Sequence, residues 1–211
     1  MSADFLDQMA RASRERVVRA RQQCSEQAMI ERARAAPAAP PLHLSRLGFD
    51  LIAEVKRRSP ALGMLADTDA DADAGAQIGA RVLGYAQAGA AAVSILTEPS
   101  RFDGALEHLQ HSTRTLTGRI PAMRKDFLVD PYQVYEARAA GAGGVLVILR
   151  MLSASGQRAL IEASAELGLF ALLEAFDEAD VARAAELVEA YGGGCTLLVG
   201  VNCRDLATLE V

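Results

Sequence analysis

Short apolar runs alternate with amphipathic stretches along most of this chain. The runs fall at residues 51–56, 92–97, 120–124, 144–149, 169–174 and 197–202, each of a length that suits a strand. Between them, residues 73–89, 104–116, 131–141, 154–167 and 178–191 carry apolar residues at three- and four-residue spacing, which predicts helices. This alternation predicts βαβ units with a parallel sheet and right-handed crossovers. A spacing of about 24 to 28 residues between the later strands is tight for an open doubly wound sheet and natural for a (β/α) barrel. Gly89, Gly141 and Gly168 each stand just before a strand, where a helix would end in the left-handed conformation. Ahead of the repeat, residues 4–34 predict one Arg-rich amphipathic helix with Phe5, Met9, Val17, Val18 and Ile30 among its apolar positions, ended by the Pro-rich segment Ala35 to Pro41. The chain thus divides into an N-terminal helical extension and linker, 1–45, and an α/β barrel domain, 46–211.

Composition narrows the possibilities. With 211 residues, 51% of them hydrophobic, the chain can bury a sizeable core as one domain. A net charge of -5 argues against the basic stripe that releases counterions from phosphates, so no nucleic-acid partner is expected. The longest apolar run, around Val145 to Leu149, is far short of the roughly 18 to 20 residues that span a bilayer, and Asp4 and Asp7 stand where a signal peptide needs basic residues. A cytoplasmic protein without membrane association is predicted. Cys24, Cys195 and Cys203 are odd in number and show no CxxC spacing, which fits reduced thiols.

Several motifs fail on inspection. The alternating Asp67, Asp69, Asp71 and Asp73 lack the turn glycine and the twelfth-position acid of a calcium loop. Gly192 to Gly194 lacks a following Gly-Lys-Ser/Thr and reads as a turn. Ser94, Ser153 and Ser155 have no G-x-S-x-G context, and His108 and His111, three apart on a helix, read as solvent-facing rather than as metal ligands. No metal and no cofactor are predicted.

The chemistry-bearing positions lie at strand ends. Glu54 and Lys56 are two apart, so on a strand they share a face, and they close the first run at the end where α/β barrels keep their active sites. Lys125 follows the third apolar run, Glu174 ends the fifth and Asn202 the sixth. A lone Lys or Glu in such a place is usually a solvated rim residue; the joint occurrence at four strand ends points to one site.

These residues sit inside longer stretches through which the chain resembles the indole-3-glycerol phosphate synthase family. The stretches are Ala53-Glu54-Val55-Lys56-x-x-Ser59-Pro60, Ser94-Ile95-Leu96-Thr97-Glu98 with Phe102-x-Gly104, and Arg124-Lys125-Asp126-Phe127 with Tyr132-Gln133 and Glu136-Ala137-Arg138. Leu173-Glu174 and Gly200-Val201-Asn202-x-Arg204-Asp205-Leu206-x-Thr208 follow in the family's order. The resemblance implies a (β/α)8 TIM barrel of the ribulose-phosphate-binding type, and a carbon-carbon lyase of tryptophan biosynthesis. Its small-molecule phosphosugar-anthranilate substrate undergoes ring closure with loss of carbon dioxide and water, without a cofactor. It further implies that Lys125 is the general acid, Glu174 the base, Lys56 a partner for the substrate carboxylate or a proton donor in dehydration, and Glu54 the group that orients Lys56 and the sugar hydroxyls. Asn202 would bind substrate, with Ser59 and Arg204 in lesser roles, and Phe102, Phe127 and Leu96 would line the mouth.

The sequence departs from the family pattern in places. Ala61 stands where a second serine often follows, Gly143 where an aspartate is common and Phe176 where a histidine is frequent. About six βα units are expected before Val211, against eight in a closed barrel. Two other readings follow from that count: an inactive truncated barrel serving as a binding or interaction module, and self-association through open barrel edges. A third is a different phosphosugar barrel in which Lys125 forms a Schiff base.

Overall fold

The computed structural model describes residues 2–59, 63–64 and 74–203. Helices α1 (Ser2–Gln23) and α2 (Glu26–Ala35) come first, then strand β1 (Ile52–Val55) and the two-residue strands β2 (Arg58–Ser59) and β3 (Gly63–Met64). There follow α3 (Ala74–Gln87), β4 (Ala92–Leu96), α4 (Pro99–Phe102), α5 (Leu106–Leu116), β5 (Ala122–Lys125), α6 (Pro131–Ala139) and β6 (Gly144–Ile148). The described chain ends with α7 (Ala154–Glu166), β7 (Phe170–Ala175), α8 (Glu178–Tyr191) and β8 (Leu197–Val201). Every apolar run is a strand and every amphipathic stretch of the repeat a helix. Gly89, Gly141 and Gly168 have φ of 87°, 89° and 66°, the left-handed helix ends anticipated for them. The four alternating aspartates at 67–73 lie outside the described residues.

The chain forms two compact units, one of residues 36–126 and 140–144, the other of residues 1–35, 127–139 and 145–211. In the first, β1, β4 and β5 are neighbours in that order, and both pairs are parallel. Glu54 is in register with Ser94, Ser94 with Met123, and Leu96 with Lys125. Strand β4 is buried at every position, as expected of a central strand covered on both faces. In the second unit β7 and β8 are parallel, with Glu174 opposite Gly200. Six parallel strands alternating with helices are the architecture of an incomplete (β/α)8 barrel.

The N-terminal segment differs from its expected single helix. It breaks at Cys24-Ser25, where the Ser25 hydroxyl accepts from the Ala28 amide and starts α2 afresh. The buried stripe of α1 runs through Leu6, Met9, Ala10, Ser13 and Val17, while Val18 is 58% exposed. The spacing of that stripe is the three-and-four step of a helix face, and Val18 falls one residue off it.

Tyr132 of α6 closes the break from within the same unit. Its ring packs with Val17 and Met29, and its hydroxyl lies 3.1 Å from the Ala20 carbonyl, which also accepts from the Cys24 amide, and 2.9 Å from the Cys24 carbonyl, just past the end of α1. Burial is the first cause that pushes this phenol up to about 12, so it remains a donor across the physiological range. Tyr132→Phe is therefore expected to lower stability by about 1 kcal/mol, read from the urea midpoint at unchanged m-value.

Candidate active site

In the first unit, the pleat of β1 carries Glu54 onto the same face as Lys56. Lys56 Nζ donates to Glu54 Oε1 at 2.7 Å. The Lys125 ammonium, at the end of β5, lies 3.8 Å from the other carboxylate oxygen. One carboxylate is thus held between two ammonium groups, and the three side chains keep 27 to 30% of their exposure, so a ligand can reach them. The cluster carries a net positive charge, suited to a carboxylate, a phosphate or a developing oxyanion.

The opposite face of the same strand ends is locked. Asp126 and Arg124 flank Lys125 and are 2% and 5% exposed. Thr97 Oγ1 donates to Asp126 Oδ2 at 2.8 Å and accepts from Arg124 Nε at 3.1 Å, and the guanidinium meets the same carboxylate oxygen at 3.2 Å. Side chains alternate along a strand, so this buried triad fixes the backbone from which Lys125 projects the other way.

The loop after β4 is built by its own motif. Glu98 is fully buried and caps α4, accepting from the Ser100 and Arg101 amides at 2.9 and 2.7 Å and from the Ser100 hydroxyl at 2.6 Å. Gly104 follows because any Cβ there would stand 2.6 Å from the Leu96 carbonyl oxygen. Half-buried Phe102 ends α4, and Arg58 of β2 reaches Asp103 at 3.7 Å, tying the β2–β3 hairpin to that loop. Ser59 lies on β2, paired with Gly63. Leu96 is buried at 4% exposure opposite Lys125.

In the second unit, Glu174 near the end of β7 is half-buried and accepts from Asn202 Nδ2 at 2.8 Å. The Asn202 amide N–H donates to the Ala175 carbonyl, which fixes the asparagine just beyond β8. Gly200, opposite Glu174, sets no side chain beside the carboxylate. Phe127 is 8% exposed and meets Phe5 of α1 edge to face, centroids 5.9 Å apart, while its carbonyl accepts from the buried Ser13 hydroxyl. Phe176 forms the platform for the Arg150 guanidinium, 4.5 Å from the ring centroid. Arg204 lies outside the described residues.

His108 and His111 are half-buried rather than solvent-facing, and His111 Nε2 stands where a Cβ on Gly79 of α3 would come within 2.9 Å. His108 titrates below its ordinary 6.5, because burial comes first and the Arg57 charge second, with a smaller opposing effect of Glu107 and a small lowering by His111. Below pH 6.5 the unfolded chain then binds a proton that the folded chain refuses. Stability should fall as pH drops from about 6.5 towards the folded value and level off below it. His108→Gln is expected to flatten that part of the curve of Tm against pH between 7 and 5.

The Thr97–Arg124–Asp126 triad carries structure around the cluster that strand-end chemistry did not single out; the sequence signal for it was its place within the two extended stretches. Among the described residues no helix is long and apolar enough to cross a membrane, and no three His, Cys, Asp or Glu side chains gather as metal ligands would.

The comparisons with known proteins bear on this arrangement. The family model described as indole-3-glycerol phosphate synthase matches residues 6–211. A curated protein of that name from Parafrankia sp. (strain EAN1pec) is 47% identical over 161 residues, covering 76% of this chain and 54% of its own. One from Mycobacterium leprae (strain TN) is 38% identical over 212 residues, 99% of this chain and 72% of its own. One from Salinibacter ruber is 40% identical over 168 residues, 80% of this chain and 57% of its own. The matched region is thus between about half and seven tenths of the length of these relatives.

Proposed function

Since the chain belongs to the indole-3-glycerol phosphate synthase family, we propose that it carries the acid, base and substrate-orienting groups of that lyase, acting on 1-(2-carboxyphenylamino)-1-deoxyribulose 5-phosphate. The observation that carries this reading is Glu54 held between Lys56 and Lys125. In the ring closure the anthranilate ring carbon attacks the ribulose carbonyl carbon, carbon dioxide leaves, and a hydroxyl departs as water. The carbonyl oxygen gains a proton as the bond forms, and the hydroxyl needs another to leave; Lys125 supplies the first as general acid, and Lys56 or a reprotonated Lys125 the second. A second cation is needed for the substrate carboxylate until it is lost, and Lys56 takes that part or donates in the dehydration. Glu54 spaces the two ammonium groups, which would otherwise repel, and orients them towards the sugar.

Loss of carbon dioxide restores the aromatic ring, and removal of the proton that must leave as the hydroxyl departs in the dehydration falls to Glu174. Asn202, which donates to Glu174 Oε1, aims that carboxylate and contributes to substrate binding. Leu96, Phe102 and Phe127 offer apolar surface to the aromatic ring, with Phe127 braced by Phe5. Ser59 and Arg204 serve anionic or hydroxyl groups of the ligand. The pathway placement and a cytoplasmic location follow from the same reading, with a soluble phosphosugar substrate as the partner.

The test is direct assay of the full-length protein with this substrate, following indole fluorescence and released carbon dioxide together. One equivalent of each per substrate consumed is the expected result. Absence of turnover in a folded, substrate-binding protein would leave a binding role in place of the lyase.

A further inference from the structure

The hydroxyl of Ser94 has no hydrogen-bond partner among the described residues, although the residue is only 4% exposed. Such a group is destabilising, and alanine would fill the same place on β4 without that penalty. Packing therefore gives no reason for a serine here. Its neighbours supply one. Ser94 is in register with Glu54 on one side and Met123 on the other, and paired residues of parallel strands project from the same face. Met123, 2% exposed, offers no oxygen or nitrogen, so the polar side chain beside Ser94 in this row is Glu54. Adjacent strands lie about 4.8 Å apart, a gap that a glutamate side chain spans with length to spare. In the structure the Glu54 oxygens are turned to Lys56 at 2.7 Å and towards Lys125 at 3.8 Å.

We infer that Ser94 is a positioning residue for Glu54: when substrate draws Lys56 and Lys125 onto its own carboxylate and carbonyl oxygens, the Ser94 hydroxyl donates to the Glu54 carboxylate and holds it in place. The inference rests on the roles proposed above for the two lysines. Without a second donor, a half-buried carboxylate would hold its lysines back or swing after them, and both would misalign the acid. The Ser94 hydroxyl, buried without a partner among the described residues, is the seat that Glu54 takes when substrate engages the lysines.

Two measurements on the full-length protein test this separately from the lyase reading. The first needs no turnover. Ser94→Ala should leave Tm unchanged or slightly raised in the parent, yet lower it by about 2–4 °C in a Lys56→Met background, where Glu54 has lost its nearest donor and has turned to Ser94. The second is kinetic. Ser94→Ala should lower kcat about tenfold with KM changed less than about twofold, the rate equivalent of one hydrogen bond to a charged group, and Ser94→Thr, which keeps the hydroxyl, should recover most of it. A parent protein without lyase activity that still shows the background-dependent Tm change would overturn the lyase reading and keep the Ser94–Glu54 contact. The same Tm change in both backgrounds would overturn the contact, whatever the kinetics.

Discussion

Lys125→Ala is expected to lower kcat of the full-length protein by about 10² to 10⁴ while KM moves far less, because a general acid acts on charge that develops only in the transition state. The Lys125 ammonium points to the open face of β5, 28% exposed, beside a carboxylate that also holds Lys56. Removing it leaves the Glu54–Lys56 pair intact, so the variant should fold and bind. Lys125→Arg separates the two things a lysine can do. Arginine restores the positive charge but gives up its proton far less readily, so it should recover binding and not turnover. Glu174→Gln should show the same split of kcat from KM, since the amide keeps the shape and accepts from Asn202 but cannot take a proton. A Lys125→Ala enzyme within about threefold of the parent would move the acid elsewhere, and full rescue by arginine would make Lys125 an electrostatic group only.

The repeat of strands and helices was legible because each strand is a short, nearly continuous apolar run, the pattern that burial on both faces demands in β4 and β6. Glu54 and Lys56 were legible as a pair because two residues on one strand share a face by covalent geometry alone. The approach of Lys125 to Glu54 was not, since it depends on β1 and β5 flanking β4 and on the register that sets Leu96 against Lys125. Phe5 against Phe127 and Ser13 against the Phe127 carbonyl are contacts between residues more than a hundred positions apart, which no local period encodes. The two-residue strands β2 and β3 and the one-turn helix α4 are too short to show a period at all. Helix α4 did carry a signal in Glu98-Pro99, with proline at the first helical position, but a glutamate is not among the usual capping residues. Val18 misled for a simple reason: being apolar, it was counted with the stripe, whereas the helical step gives the buried position to Val17.

The largest expected loss of stability comes from the face of β5 that the substrate would never touch. Asp126→Ala removes the carboxylate that both the Arg124 guanidinium and the Thr97 hydroxyl address, beside a cation whose side chain is only 6% exposed. A buried ion pair broken on one side typically costs about 3–5 kcal/mol, because the remaining charge keeps its desolvation penalty and loses its compensation. Asp126→Asn keeps an oxygen for Thr97 and should cost less, about 1–3 kcal/mol. The double variant Arg124→Met, Asp126→Ala should be more stable than Asp126→Ala alone, since taking away the cation also takes away the penalty. Urea unfolding at constant m-value measures all three. If Asp126→Ala cost less than about 1 kcal/mol, the triad would be incidental to the fold, and the placement of Lys125 would have to come from the strand pairing with β4 alone. If it costs what is expected while Asp126→Asn retains turnover, the two faces of the strand end divide their work: one holds the backbone, and the other presents the acid.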